Sequence, residues 1–524
     1  MSLLGTRLYR TLMLRRLSGL VLPFLCAGAL AAQASAPIPV GINLRPITPY
    51  DRQLAFADAM KMASEWRYED EGSLPPVRQV GKNGGKPPTA DIVPLDRDGW
   101  PRPSRGRTVS CHLFIGMRGK IPAGQYVVTW KGKGTLEFRG HVGIVSAEPN
   151  RLVVEVNGVN GGQPGIALSG VDLNDPIRDI HVWLPALEEA CSYFQPAFLD
   201  RLRPFSVLRF YPWMRVYTSS GRWSERSTMD WARQGTTEGV ALEYMVELAN
   251  ELAADPWFCI PHLADDDYVR RFATYVRDTL HPPAKVYVEF SNETWNTDFA
   301  AGRWAREQSQ LLGVPAMHVV AERAGQVFDI WREVFGAKAG RVVRVVGVQL
   351  HNPGIARVLT RELGGNYDAL AMGTYFGARA DTDDVSVDST AEELLAVAAL
   401  NLEQAVLPRI EDHKSQIDEL TAQLGRPIRL ITYEGGPSIV ARSPGGGLGF
   451  DATIACHNLP AMYDVYRALI DGARAHGVDL FVGYDFCGAR TTSDTYSVLE
   501  SLTDPLASSP KYRALVLGWE SRGQ

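Results

Sequence analysis

Basic residues are not in excess in this 524-residue chain: Lys and Arg total 54 against 59 Asp and Glu, a formal net charge of −5. That balance lacks the electrostatic footprint of a nucleic-acid binder. Cysteine is scarce, six in all, and no two stand in the C-x-x-C spacing of zinc or thiol–disulfide chemistry. Beyond the N-terminus no apolar run is long enough to cross a bilayer. There is no fixed-period repeat and no long low-complexity tract. What is present is ordinary for a globular protein, with 45% hydrophobic and 22% charged residues. The length exceeds one minimal core and has room for a large barrel plus an inserted or appended module.

The first 34 residues read as a signal peptide. Arg7, Arg10, Arg15 and Arg16 form a basic start, Leu17 to Ala32 is apolar but short for a membrane span, and cutting after Ala34 fits the small-residue pattern. The chain is therefore expected to be exported, periplasmic or extracellular, with no stable membrane span after cleavage. An uncleaved N-terminal anchor is the structural alternative. Five cysteines remain, Cys111, Cys191, Cys259, Cys456 and Cys487, an odd number that leaves at least one thiol unpaired if any disulfide forms. Buried free thiols are the expected state.

From about residue 200 onward, short apolar runs alternate with segments of helical spacing. The runs are 207–211, 257–262, 285–290, 342–350, 369–375, 428–433 and 480–484; the helical segments include 242–252, 268–280, 316–335 and 394–410. An eighth strand lies upstream at 38–43, followed by a segment, 55–63, that reads as a helix. Eight strands alternating with helices fit an α/β (β/α)8 TIM barrel. Between its first two strands the character changes. No convincing helix appears from residue 70 to Ala186, and the runs 126–130, 135–138 and 152–156 are separated by Gly- and Pro-rich turns. The expected organisation is a barrel over 35–74 and 186–524 and an inserted antiparallel β module over 75–185, which packs against the barrel or shapes the cleft wall.

Barrel enzymes place their chemistry at the C-terminal ends of the strands. The fourth strand ends Ser291-Asn292-Glu293-Thr294-Trp295-Asn296 and the seventh ends Thr432-Tyr433-Glu434-Gly435-Gly436. These strands lie roughly opposite one another, so two carboxylates reach the same rim from both sides. Carboxylates roughly 5–5.5 Å apart suit glycosidic cleavage with retention. Asn-Glu ending strand four together with Glu ending strand seven resembles the clan A glycoside hydrolases, a superfamily of retaining barrel enzymes. The resemblance covers the barrel and not the inserted module. It implies Glu293 as acid/base, protonated at rest, and Glu434 as an ionised nucleophile. It further implies that Asn292 bonds the sugar 2-hydroxyl, that Arg209 keeps Glu434 charged, and that Tyr375 orients it. His262 and His351 end strands three and five and are candidates to line the cleft; Tyr211, Trp213 and Trp295 are candidates to stack on sugars. Strand eight offers Tyr484 and Phe486 where many clan members carry tryptophan.

Glu289 is expected to point into the barrel and pair with a base. Asp265-Asp266-Asp267 reads as a helix cap, not a metal site. A metal-dependent barrel hydrolase needs a His-x-His pair on strand one, which ends Gly41-Ile42-Asn43. No metal or cofactor is expected. The expected partner is carbohydrate, β-linked material such as β-glucan, mannan or xylan, by analogy alone. A noncatalytic carbohydrate-binding barrel and a transglycosylase using the same residues are the alternatives.

Overall fold

The computed structural model of the chain describes residues 38–69, 93–103, 106–117, 119–140, 142–158, 163–443 and 446–517. The expected signal peptide, and the first residues of the expected insertion up to 92, lie outside the described residues. The described chain from Pro39 onward is one unit.

β1 (Val40–Asn43) opens that unit. Eight strands of the insertion follow: β2 (Arg67–Tyr68), β3 (Val109–His112), β4 (Gly124–Lys131), β5 (Thr135–Arg139), β6 (Val142–Glu148), β7 (Arg151–Val156), β8 (Gly165–Ser169) and β9 (Arg178–Trp183). After them run α1 (Pro196–Leu202), β10 (Val207–Arg209), α2 (Leu242–Leu252), β11 (Asp255–Ile260), α3 (Asp266–Thr279), β12 (Val286–Phe290), α4 (Ala300–Leu312) and α5 (Ala316–Phe335). Then come β13 (Val342–Val348), α6 (Pro353–Glu362), β14 (Ala369–Phe376), α7 (Ala391–Asn401), α8 (Leu407–Leu424) and β15 (Arg429–Pro437). The short hairpin β16 (Arg442–Ser443) and β17 (Gly446–Gly447), α9 (Phe450–Asn458), α10 (Met462–Ala475), β18 (Val478–Gly483) and α11 (Pro510–Val516) end the described chain.

The order β1-β10-β11-β12-β13-β14-β15-β18 closes into a barrel of parallel strands. This is the expected (β/α)8 architecture. Val, Ile, Leu and Phe dominate the strands because helices cover them outside and side chains fill the centre. The helices bury one stripe each. In α3 the buried positions 268, 269, 272, 273 and 276 repeat at helical spacing, and Asp265 caps the helix by accepting from the Tyr268 N–H (2.8 Å).

The insertion is two antiparallel sheets, β2-β3-β8-β5 and β6-β7-β4-β9. Alternate residues of β4, β5 and β7 are buried, and Tyr126 of one sheet meets Phe138 of the other at 6.4 Å. Its strands start at Arg67, ahead of the expected boundary at 75. Residues 55–63 are not the expected helix: only Ala59–Met62 turn, as a 3-10 segment. The flanking chain is held extended because Phe56 bridges Phe194 and Asp58 bridges Trp183. Asp58 also accepts from the Val182 N–H (2.9 Å), and Lys61 Nζ donates to the Met229 and Trp231 carbonyls (2.9 Å each). These contacts fasten the module to the loops after β1 and β10. Ala186 sits in a left-handed turn (φ 62°), and the first helix after the module begins only at Pro196. The segment 394–410 is two helices joined by a π-helical turn over Leu402–Val406, because Pro408 has no N–H to continue the ladder.

Among the described residues, five cysteines are unpaired, four of them buried, and no helix is long and apolar enough to cross a membrane.

Candidate active site

Arg209 ends β10 and is completely buried. All five of its N–H groups are used. Nε and Nη2 donate to Glu289 (3.3 and 2.8 Å), Nη2 to the Asn292 side-chain oxygen (2.7 Å), and Nη1 to Asn43 Oδ1 and Glu434 Oε1 (3.1 Å each). The guanidinium lies between the rings of Tyr211, Trp257 and Tyr433. One cation thus fixes groups from β1, β12 and β15. Glu289, below it in the barrel, also accepts from Trp257 Nε1 (3.0 Å), and Gly347 leaves it room, since a Cβ there would stand 2.7 Å from its carboxylate.

Glu434 is held at both oxygens, by Arg209 and by the Tyr375 hydroxyl (2.7 Å). Its neighbour Tyr433 donates to Glu293 Oε1 (3.0 Å). Adjacent residues of a regular strand face opposite sides. Here the pairing of β14 with β15 slips, Met372 opposite Thr432 and Gly373 opposite Glu434, leaving Tyr433 as an extra residue. The bulge turns both side chains toward the barrel mouth, where each meets Arg209. Glu293 is also reached by Asn296 Nδ2 (3.2 Å). The chain leaves β12 through two left-handed residues, Ser291 (φ 57°) and Glu293 (φ 44°). Such backbone costs roughly 1–3 kcal/mol per residue and persists only where surrounding bonds fix it. Here Ser291 N–H donates to the Ile260 carbonyl (2.8 Å) and Asn296 N–H to that of Glu293 (2.9 Å).

Burial pushes the Glu434 carboxyl up from its ordinary 4.5 to about 8; Arg209 and the Tyr375 hydroxyl pull it down, and Glu293 pushes it further up. Arg209 favours the ionised form by charge pairing, and burial works against it. Between pH 4.5 and about 8 folding then takes up a proton, so native stability declines as pH rises through that window. Glu434→Gln keeps the shape without the ionisation. Its melting temperature is expected to exceed the parent's by a margin that widens from about pH 5 to about pH 8. A margin that shrinks with pH would show that Arg209 outweighs burial.

The remaining candidates separate. Asn292 is buried, with its oxygen on Arg209 and its amide on the Tyr217 hydroxyl (2.6 Å). Tyr211 is half-buried and shares a hydroxyl–hydroxyl bond with Tyr484 (3.1 Å). Trp295 is half-buried, 6.4 Å from Tyr433, and lines a cavity of about 20 Å³ with Glu289 and Glu293. Trp213 is no sugar platform: it is fully buried, stacked between Phe56 (6.0 Å) and Phe198 (6.4 Å). His262 is buried, donates from Nδ1 to the Val216 carbonyl (3.1 Å) and is held below its ordinary value by burial. His351 is exposed and its charged neighbour is Arg409 on α8. Phe486 is buried against Phe198.

Residues not singled out in the sequence complete the site. Tyr433 and Asn43 bind the two halves together, and Tyr217 orients Asn292. Tyr496 packs edge-on against Tyr375 (5.8 Å) and Tyr484 (5.5 Å). No group of His, Cys, Asp and Glu among the described residues could hold a metal ion.

No family model matches the sequence, and no curated protein resembles it. Solved structures are similar to part of the chain. They include a GH51 arabinofuranosidase from Xanthomonas axonopodis pv. citri, 15% identical over 63% of this chain and 68% of that one, TM-score 0.39. Another is an α-L-arabinofuranosidase from Thermotoga maritima, 13% identical over 62% of this chain and 63% of that one, TM-score 0.41. A family 39 glycoside hydrolase from Bacteroides cellulosilyticus WH2 is 12% identical over 76% and 78%, TM-score 0.35. At these identities and TM-scores the likeness carries no argument about function.

Proposed function

We propose that the chain is an exported retaining glycoside hydrolase acting on β-linked poly- or oligosaccharide. The observation that supports it best is the pair of differently held carboxylates on one rim. Glu434 is gripped at both oxygens by Arg209 and Tyr375, while Glu293 is half-buried and, among the described residues, accepts from the neutral donors Tyr433 and Asn296.

In this reading ionised Glu434 attacks the anomeric carbon, and the Arg209 guanidinium and the Tyr375 hydroxyl fix its direction. Glu293 protonates the departing oxygen. Once Glu434 is esterified its charge is gone, Glu293 ionises more readily and removes a proton from water, and the second displacement restores the configuration. The productive state needs Glu434 ionised. Its carboxyl, pushed up by burial to about 8, must lose its proton before it can attack. With a dinitrophenyl glycoside, whose leaving group needs no proton, kcat/KM is accordingly expected to rise about tenfold per pH unit up to about 8 and to level off above it. A profile flat from about pH 5 to about pH 8 would show that Arg209 outweighs burial.

The reading is tested by incubating the purified protein with β-glucan, β-mannan, xylan and their oligosaccharides, resolving products by size and following the anomeric proton by NMR. Retained configuration in the first-formed product is expected. Inversion overturns double displacement, and no turnover on any substrate favours a noncatalytic binding barrel.

A further inference from the structure

We propose that a second pocket on the catalytic rim binds a neutral saccharide unit and anchors the glycan away from the cleaved bond. The proposal rests on the glycoside hydrolase reading and adds a site to it.

A cavity of about 400 Å³ is lined by Phe450, Asp451, Ile454, Ala455, Arg490 and Glu500. The first four occupy one face of α9, at positions i, i+1, i+4 and i+5. α9 follows β15, and Arg490 and Glu500 belong to the segment after β18, so the pocket stands between the loops of the seventh and eighth barrel strands. The same two loops are tied to each other: the Thr495 hydroxyl donates to the Ile439 carbonyl (2.6 Å), and the Tyr496 and Ser438 hydroxyls lie 3.3 Å apart.

The lining is chemically two-sided. Phe450 is 42% exposed, a large ring with no packing role on its outer face, and Ile454 beside it is half-buried. Beside this apolar patch on the same helix is exposed Asp451, and the segment after β18 adds the carboxylate of Glu500, which accepts from Arg490 Nη1 (2.9 Å). The Arg490 side chain is 4% exposed; Nη1 also reaches Asn458 (2.6 Å), and Nε has no partner among the described residues. Arg52 Nη1 also reaches Glu500 (3.9 Å), so two carboxylates meet two guanidinium groups and the surroundings carry no net charge, which suits a neutral ligand over phosphate, sulfate or a uronate. A pyranose answers both halves. Its C–H face covers Phe450 and Ile454, and its hydroxyls donate to the carboxylates. The volume falls in the usual range of small-ligand pockets, roughly 300–1,000 Å³.

The test uses the full chain with Phe450→Ala, Phe450→Trp and Asp451→Ala, and hexasaccharides of β-1,4-glucan, β-1,4-mannan and β-1,4-xylan as probes. On the hexasaccharide that the parent cleaves, Phe450→Ala is expected to raise KM about three- to tenfold, the worth of one aromatic contact. Phe450→Trp should keep the parental KM, and kcat on the matching aryl monoglycoside should be unchanged in all three variants. Equal KM in parent and Phe450→Ala overturns the proposal, as does an equal loss on the monoglycoside. If the parent cleaves no hexasaccharide, the hydrolase reading fails separately. Retardation of the parent in gels containing the corresponding polymers, lost in Phe450→Ala and kept in Phe450→Trp, then still supports the pocket, and identical mobility of all variants overturns it.

Discussion

Glu434→Ala is expected to lower turnover by roughly 10⁵-fold on whichever glycan the parent cleaves, with little change in KM. The loss is large because the residue makes and breaks the covalent bond, and no other carboxylate is placed to substitute. Glu289 is the nearest rival, but three donors hold it beneath Arg209. Truncation leaves a space the size of a carboxylate facing Arg209 and the Tyr375 hydroxyl. A small anion fits both donors, so added azide should restore part of the rate and yield a glycosyl azide of inverted configuration. Turnover within about tenfold of the parent would remove Glu434 from the chemistry.

Glu293→Ala is expected to behave differently. For leaving groups as basic as a sugar alcohol the rate should drop roughly 10²–10⁴-fold, the usual worth of a positioned general acid. For a dinitrophenyl leaving group glycosylation should stay near the parental rate, and deglycosylation should become limiting, seen as a burst of phenol. Glu293→Gln keeps the side-chain shape and an acceptor for Tyr433, so it controls for collapse of the strained turn. An equal loss on both leaving groups would mean that Glu293 acts by position alone and gives no proton.

The barrel was legible because eight apolar runs alternate with helical spacing, and that pattern has few physical solutions. Asn292, Glu293, Glu434, Arg209 and Tyr375 could be named because they end strands, and strand ends are where a barrel carries its chemistry. Tyr433 could not. Period-two alternation places it on the face opposite Glu434, and only the slip at Met372/Gly373 brings it round. Tyr217 and Tyr496 sit in irregular loops whose course depends on distant packing. Trp213 shows the converse. It follows strand two closely, yet three aromatic rings, Phe56, Phe198 and Phe210, enclose it. Residues 55–63 have helical spacing, but bridges to Trp183 and Phe194 keep most of them extended. Those partners lie more than 120 positions along the chain, beyond the reach of a local pattern.

The seam of the barrel sets an order of assembly. β1 pairs with β10 on one side and β18 on the other, Gly41 opposite both Val207 and Val482. The first strand therefore waits through the whole inserted module for one neighbour and for almost the entire remaining chain for the second. Joining ends so far apart costs loop entropy that is recovered only at closure. Until then β1 and β15 each present an open edge with unpaired N–H and C=O groups. A chain cut before Val478 keeps every catalytic residue and still lacks the stave that joins them. Such a fragment should expose two sticky strands and associate, so the short eighth strand acts as the latch that makes the rest of the molecule safe from itself.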